Sequence, residues 1–334
     1  MSWLNPQVTA FLKTGEQVEI ATRTPISYEL FRGLRATSPS RLKKLRKDLG
    51  GSPLHYQAGF HQPWKRSPEM DFGNMYDRFL LEPDEFARMY VSEERWLQKD
   101  RPSASFPEGM PKPDQTFRQK ANALWKEERL KLAEEEGMEI VPEEWFKRCE
   151  DMRDVLFRWY PYAKYLIEIE GEVKYRSTNL VEFEADLDPV LIKYEADKRI
   201  ERLELIVDVK TGRTASPGMK QFRKHGWDMG YFSQAAIEID GDPRCVNFSW
   251  IVQETVEPYA PCLFHSDGET LAKGRKHREG GYVSLCEQIA RLRKRYGMEW
   301  DEERFRSGRT WPPYLYHSTD GIDGSFPLHP PTWI

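Results

Sequence analysis

Apolar positions recur at helical spacing through most of the first half of the chain and change to strand-like alternation after Pro161. In "SPSRLKKLRKDLGGSPLHY", Leu42, Leu45 and Leu49 form an i, i+3, i+7 stripe, and Arg41, Lys43, Lys44, Arg46 and Lys47 crowd the other faces. This predicts a basic amphipathic helix. A second helix is predicted through "MYDRFLLEPDEFARMYV", broken near Pro83, with the proline-rich "RPSASFPEGMPKPD" after it as a surface loop. "FRQKANALWKEERLKLAEEEG" and "PEEWFKRCEDMRDVLFRWYP" read as two further amphipathic helices, the second opened by Pro142 and acidic residues in its first turn.

Beyond Pro161, "KYLIEIEGEVKYRS", "NLVEFEADLDPVLI", "RIERLELIVDVKTG" and "RCVNFSWIVQET" alternate as strands do, and residues 218–239 between the last two read as one helix. The order strand, strand, strand, helix, strand predicts an α/β fold with a mixed central sheet flanked by helices. The expected organisation is a helical N-terminal region over 1–155, a core over 156–260 and a helical C-terminal extension over 261–334, packed as one compact domain.

A chain of 334 residues, 31% of them charged, is long enough to bury a full core. No apolar stretch suits a membrane span, and the first residues lack the basic-then-apolar pattern of a signal peptide, so the expectation is a cytoplasmic protein with no membrane partner. Cys149, Cys245, Cys262 and Cys286 lie far apart without C-x-x-C spacing, which argues for structural thiols over a zinc ribbon or an iron–sulfur cluster. The net charge of −4 carries no global signature of nucleic-acid binding, so such a function must rest on local basic segments. The candidates for phosphate contact are Arg41, Lys43, Lys44 and Lys47, and Lys273 and Arg275 near the C-terminus.

The chemistry centres on "LELIVDVKTG". Period-two alternation puts Asp208 and Lys210 on one face of a strand and Leu205, Val207 and Val209 on the other. Alone this describes an edge-strand salt bridge as well as a site. In the preceding predicted strand Glu182, Glu184, Asp186 and Asp188 share a face. A hairpin turning near Lys198 sets Asp188 across from Asp208, with Asp186 competing for that role. Two carboxylates with an ammonium beside them suit Mg²⁺ held through oxygen. On the helix that follows, Tyr231 and Gln234 are three apart and share a face; His225, nearer its start, reads as a surface residue.

Asp188, Asp208 and Lys210, followed by a helix with Tyr231 and Gln234 in "GYFSQAA", resemble the PD-(D/E)xK nuclease superfamily, in the branch of exonuclease VIII (RecE) and lambda exonuclease. "DFGNMYDRFLLEPDEF", "PEEWFKRCEDMRDVLFRWYPYAKYLI", "NFSWIVQETVEPYAPCLF" and "LAKGRKHREGGYVSLCEQI" are similar to flanking parts of that branch, over roughly residues 27–316. The resemblance implies a restriction-endonuclease-like core and Mg²⁺-dependent hydrolysis of phosphodiesters at double-stranded DNA ends, with Mn²⁺ able to substitute, in phage-type recombination or repair. It implies metal held by Asp188, Asp208 and the carbonyl of Val209, with Asp77 where the branch usually has a histidine and Glu168 as a further candidate. Lys210 would orient or deprotonate water, and Gln234 and Tyr231 would face the site. The implied partners are a single-strand annealing recombinase and further copies of the chain. A structure-specific or single-strand endonuclease of the same superfamily, or a catalytically weak DNA-binding or partner-binding scaffold, are the alternatives.

Overall fold

Helices in the first half follow the periodic apolar positions. In a computed structural model, which describes residues 8–11, 17–20, 26–28, 31, 37–45, 67–92, 127, 130–181, 190–212, 219–242 and 244–296, α1 (Pro39–Leu42) runs on into a 3-10 turn and buries Leu42 and Leu45. Helix α2 (Pro68–Leu81) is opened by Ser67, whose side chain accepts from the Met70 N–H, and Glu69 and Asp71 complement the helix dipole in its first turn. Pro83, which cannot continue α2, starts α3 (Pro83–Met89). Helix α4 (Glu143–Trp159) follows. The "KYLI" segment expected to begin a strand instead lies in α5 (Pro161–Glu168): Ala163, Leu166 and Ile167 are buried at helical, not alternating, spacing. Two small strand pairs lie apart from the main sheet, β1 (Val8–Phe11) antiparallel to β2 (Gln17–Ile20), and β3 (Tyr90–Ser92) parallel to β4 (Glu139–Val141).

The main sheet has the order β5 (Glu172–Val181), β6 (Val190–Ile200), β7 (Leu205–Gly212), β8 (Asn247–Glu254), β9 (Pro261–His265). Only β7 and β8 are parallel, and their crossover carries α6 (Met219–Met229) and α7 (Tyr231–Gly241). The single helix expected there is two because Gly230, at φ 79°, turns the backbone left-handed between them. Helix α8 (Gly268–Tyr296) supplies the C-terminal extension.

One core lies between the sheet and α1, α6, α7 and α8, around Leu45, Tyr194, Ile206 and Trp250; the other lies between the sheet and α2 to α5, around Met75, Met152, Val207 and Ile251. The fold is an α/β arrangement with a mixed central sheet flanked by helices. Strand β7 is its middle strand, covered on both faces, so the Asp208–Lys210 pair is not an edge salt bridge.

The β6–β7 hairpin corrects the expected register. It turns at the 3-10 segment Glu201–Leu203, not near Lys198, and pairs Ile200 with Leu205, Arg199 with Ile206 and Lys198 with Val207. Lys198 is mid-strand and buried, its ammonium donating to the carbonyls of Ile167 and Ile169 at the end of α5. Burial of Ile200 and Leu205 fixes this pairing, since a slip would carry apolar side chains out of the core. By this register the residue opposite Asp208 is Asp197; Asp188, with Glu182, Glu184 and Asp186, lies outside the described residues.

Cys149 and Cys245 are buried and Cys262 half-buried, all three as free thiols. Among the described residues no helix is long and apolar enough to cross a membrane.

Candidate active site

The site forms where the sheet opens. The β6–β7 ladder stops after Lys198–Val207, and beyond it the edge of β6 that β7 leaves is taken up by Thr37, whose carbonyl accepts from the Lys193 N–H. One step past the last pair, Asp197 faces Asp208. Asp197 Oδ2 accepts the Val209 N–H at 2.9 Å, standing in for the ladder acceptor that β6 no longer offers. Asp208 is 1% exposed, and Lys210 Nζ donates to its Oδ1 at 2.7 Å, as side chains two apart on a strand can.

Helix α7 closes one side. Gln234 Nε2 donates to Asp208 Oδ1 at 3.4 Å and to Glu238 Oε1 at 2.9 Å, one helical turn on. The Lys210 ammonium lies 5.1 Å from the centre of the Tyr231 ring, a cation–π distance. Helix α2 closes the other side. At Gly73 a Cβ would come within 2.8 Å of Thr211 Oγ1, so glycine lets α2 sit on the end of β7. One turn further along α2, Asp77 is buried against Lys174 of β5. Lys174 Nζ donates both to Asp77 Oδ2 and to Asp197 Oδ1, the latter at 3.0 Å.

These contacts set the charges. Burial pushes the Asp208 carboxyl up to about 8; Lys210 opposes that shift and the neighbouring Asp197 carboxylate adds to it. For Asp197 burial also acts upward, but the ammoniums of Lys174 and Lys210, a hydrogen bond shared with Asp208 and the Val209 N–H hold it down to about 2. Without a cation the pair thus carries one charge and one proton at neutral pH. Burial raises Asp77 to about 7, Asp197 adding and Lys174 opposing, and raises Glu238 well above the usual carboxylate range. Burial would lower Lys174 and Lys210, yet the flanking carboxylates hold both above the ordinary lysine range.

Of the residues singled out in the sequence, the structure brings together Asp208, Val209, Lys210, Tyr231, Gln234 and Asp77. Glu168 is not among them: it is exposed on α5 and pairs with Lys164 at 3.7 Å. His225 is exposed, edge-on to Tyr231 at 5.8 Å. Of the basic candidates, Arg41 is half-buried, Lys44 exposed, and Lys43 rests against Met229 and Gly230; Lys47 lies outside the described residues. Lys273 pairs with Glu269 on its own helix, and Arg275 clasps both oxygens of Asp240, tying α8 to α7. Sequence reasoning missed Asp197, Lys174 and Glu238. Pairing Ile200 with Leu205 would have found Asp197, and the i, i+4 step from Gln234 would have found Glu238.

Among the described residues no group of three or more His, Cys, Asp and Glu forms a ready metal cage. Lysines interpose: Lys174 between Asp77 and Asp197, Lys210 against Asp208. The donor set nevertheless fits one hard ion. Asp208 Oδ2 is buried and receives no N–H donor among the described residues, and Asp208 shares a hydrogen bond with the Asp197 carboxyl beside it, which a cation would displace. Mg²⁺ is commonly held by one or two carboxylates, with water and substrate phosphate completing its shell.

No family model matches the sequence, and no curated protein matches it. Among solved structures the chain is similar to a provisionally named exonuclease from Eubacterium rectale, with 14% identity over 83% of each chain and a TM-score of 0.45. It is also similar to SSO0001, with 13% identity over 47% of this chain and 68% of that one and a TM-score of 0.24. At these values the likeness is distant.

Proposed function

We propose that the chain is a metal-dependent deoxyribonuclease of the PD-(D/E)xK kind that degrades double-stranded DNA from its ends, in phage-type recombination or repair. The observation that carries this reading is the acid pair Asp197 and Asp208 on adjoining strands, with Lys210 bonded to Asp208 and one buried oxygen of Asp208 receiving no N–H donor among the described residues. Asp197 and Asp208, with the carbonyl of Val209, would hold the ion. A bound Mg²⁺ would polarise a phosphate oxygen and make water more acidic.

The chain's own groups have distinct parts in this. Asp208 must release its proton to bind a cation, and Asp197 enters already ionised. Lys210 remains an ammonium beside Asp208, so it positions water or a phosphate oxygen by donating hydrogen bonds and does not act as the base. Gln234 spends its N–H groups on Asp208 and Glu238, which leaves its carbonyl oxygen to accept from water. Arg41 on α1 and Lys43 and Lys44 in the 3-10 turn after it are the proposed backbone contacts.

Incubation of end-labelled linear duplex and covalently closed circular DNA, with Mg²⁺ or with EDTA, tests the reading. Loss of linear DNA alone, and only with Mg²⁺, is expected. Cleavage of closed circles would make the chain an endonuclease, and cleavage in EDTA would remove the metal.

A further inference from the structure

Four carboxylates and two ammoniums meet at this centre: Asp77, Asp197, Asp208 and Glu238 against Lys174 and Lys210. With every group ionised, two negative charges are left over, the charge of a single divalent ion. Asp77 Oδ1, Asp208 Oδ2 and Glu238 Oε2 are all buried and receive no N–H donor among the described residues, and the two halves of the cluster differ in where their ammonium lies. On one side, Lys210 Nζ donates to Asp208 Oδ1 and faces the Tyr231 ring. On the other, Lys174 Nζ lies between Asp77 Oδ2 and Asp197 Oδ1 and donates to both.

Lys174 reaches that place from an unusual backbone. It is the third residue of β5, between the pairs Val173–Lys198 and Tyr175–Ala196, with φ at 51°. Left-handed geometry inside a strand is unfavourable for any residue with a Cβ, and such strain persists where surrounding contacts over-determine it. Here those contacts are two carboxylates, 97 and 23 residues away in the chain, gathered on one ammonium.

From this geometry we infer that Lys174 is a built-in cation that takes the place of a second metal ion, so that the centre binds one divalent ion per chain, at Asp208 and Asp197. The inference rests on the metal-dependent reading above and specifies its stoichiometry. Lys174 is then a positioning residue. It holds Asp197 toward Asp208 and keeps the Asp77 side closed to metal.

Counting bound Mn²⁺ on the full chain, from the electron paramagnetic resonance signal of free Mn²⁺ during titration, tests this without DNA or activity. Wild type is expected to bind one ion, and Lys174→Arg one. Lys174→Gly, which suits the left-handed backbone and removes the ammonium, is expected to bind two. Asp208→Asn with Lys174 intact is expected to bind none. Two ions on wild type would overturn the inference, as would one on folded Lys174→Gly. Should Lys174→Gly fail to fold by circular dichroism, Asp208→Asn decides: an ion retained there would show that Lys174 does not close the Asp77 side. Wild type binding no ion would overturn the metal-dependent reading itself and this inference with it.

Discussion

Asp197 stands across from Asp208 one step beyond the last β6–β7 ladder pair, its carboxylate anchored by the Val209 N–H at 2.9 Å. The acid pair is therefore set by sheet register, and a substitution on either strand tests that register. Asp197→Asn is expected to remove metal-dependent cleavage, and Asp188→Asn to leave it close to wild type. Initial rates on end-labelled duplex at saturating Mg²⁺ would decide; the reverse ranking would mean that the hairpin pairs differently.

Lys210→Ala is expected to lower cleavage by orders of magnitude while the chain stays folded. Breaking a buried ion pair typically costs about 3–5 kcal/mol because a charge is left alone. Asp208 escapes that cost by holding a proton, since burial already raises it to about 8. Near-wild-type circular dichroism with single-turnover rates near background is the expected result. Wild-type rates would reduce Lys210 to a structural partner.

Stability should depend on pH in a direction that metal reverses. The Asp208 carboxyl is raised to about 8 in the folded chain, against about 3.9 in an unfolded one. The folded state thus binds this proton more tightly. Its stabilising contribution is complete below the unfolded value and is lost as pH rises toward about 8. Asp77, raised to about 7, acts in the same direction, while Asp197, held down to about 2, acts oppositely and only in strongly acid solution. Mg²⁺ competes with the Asp208 proton, so its effect on Tm should be larger at about pH 9 than at about pH 6. Thermal melts with and without Mg²⁺ at both values check this, and an equal shift would separate the ion from Asp208.

Gln234 is expected to matter through orientation. Its amide joins Asp208 to Glu238, and loss of such a partner typically costs about 10–100-fold in metal affinity or activity. Gln234→Ala should fall in that range, with kcat lowered more than KM changes. Glu238→Gln should be milder, because burial already favours its protonated form. Steady-state kinetics on both variants would show it.

How much of this was legible in the sequence varies with the physics of each element. The shared face of Asp208 and Lys210 follows from period-two alternation, the shared face of Tyr231 and Gln234 from helical spacing, and the break after α2 from Pro83. The hairpin centre was not legible. Its turn is a 3-10 segment closed by Glu204 at φ 50°, with no glycine, proline or asparagine to mark it, so "RIERLE" reads as strand. That hid Asp197. Lys174 was hidden because no local pattern announces a left-handed lysine within a strand. Gly230, by contrast, was visible and could have been read as the break between α6 and α7.

The central claim is that Asp197 and Asp208 together hold the metal that drives DNA cleavage. Its most direct test is Mg²⁺-dependent degradation of end-labelled linear duplex by wild type, Asp197→Asn and Asp208→Asn, each shown to be folded. The account predicts cleavage by wild type that EDTA stops, and none by either variant at any Mg²⁺ concentration. Cleavage at the wild-type rate by either folded variant would contradict it.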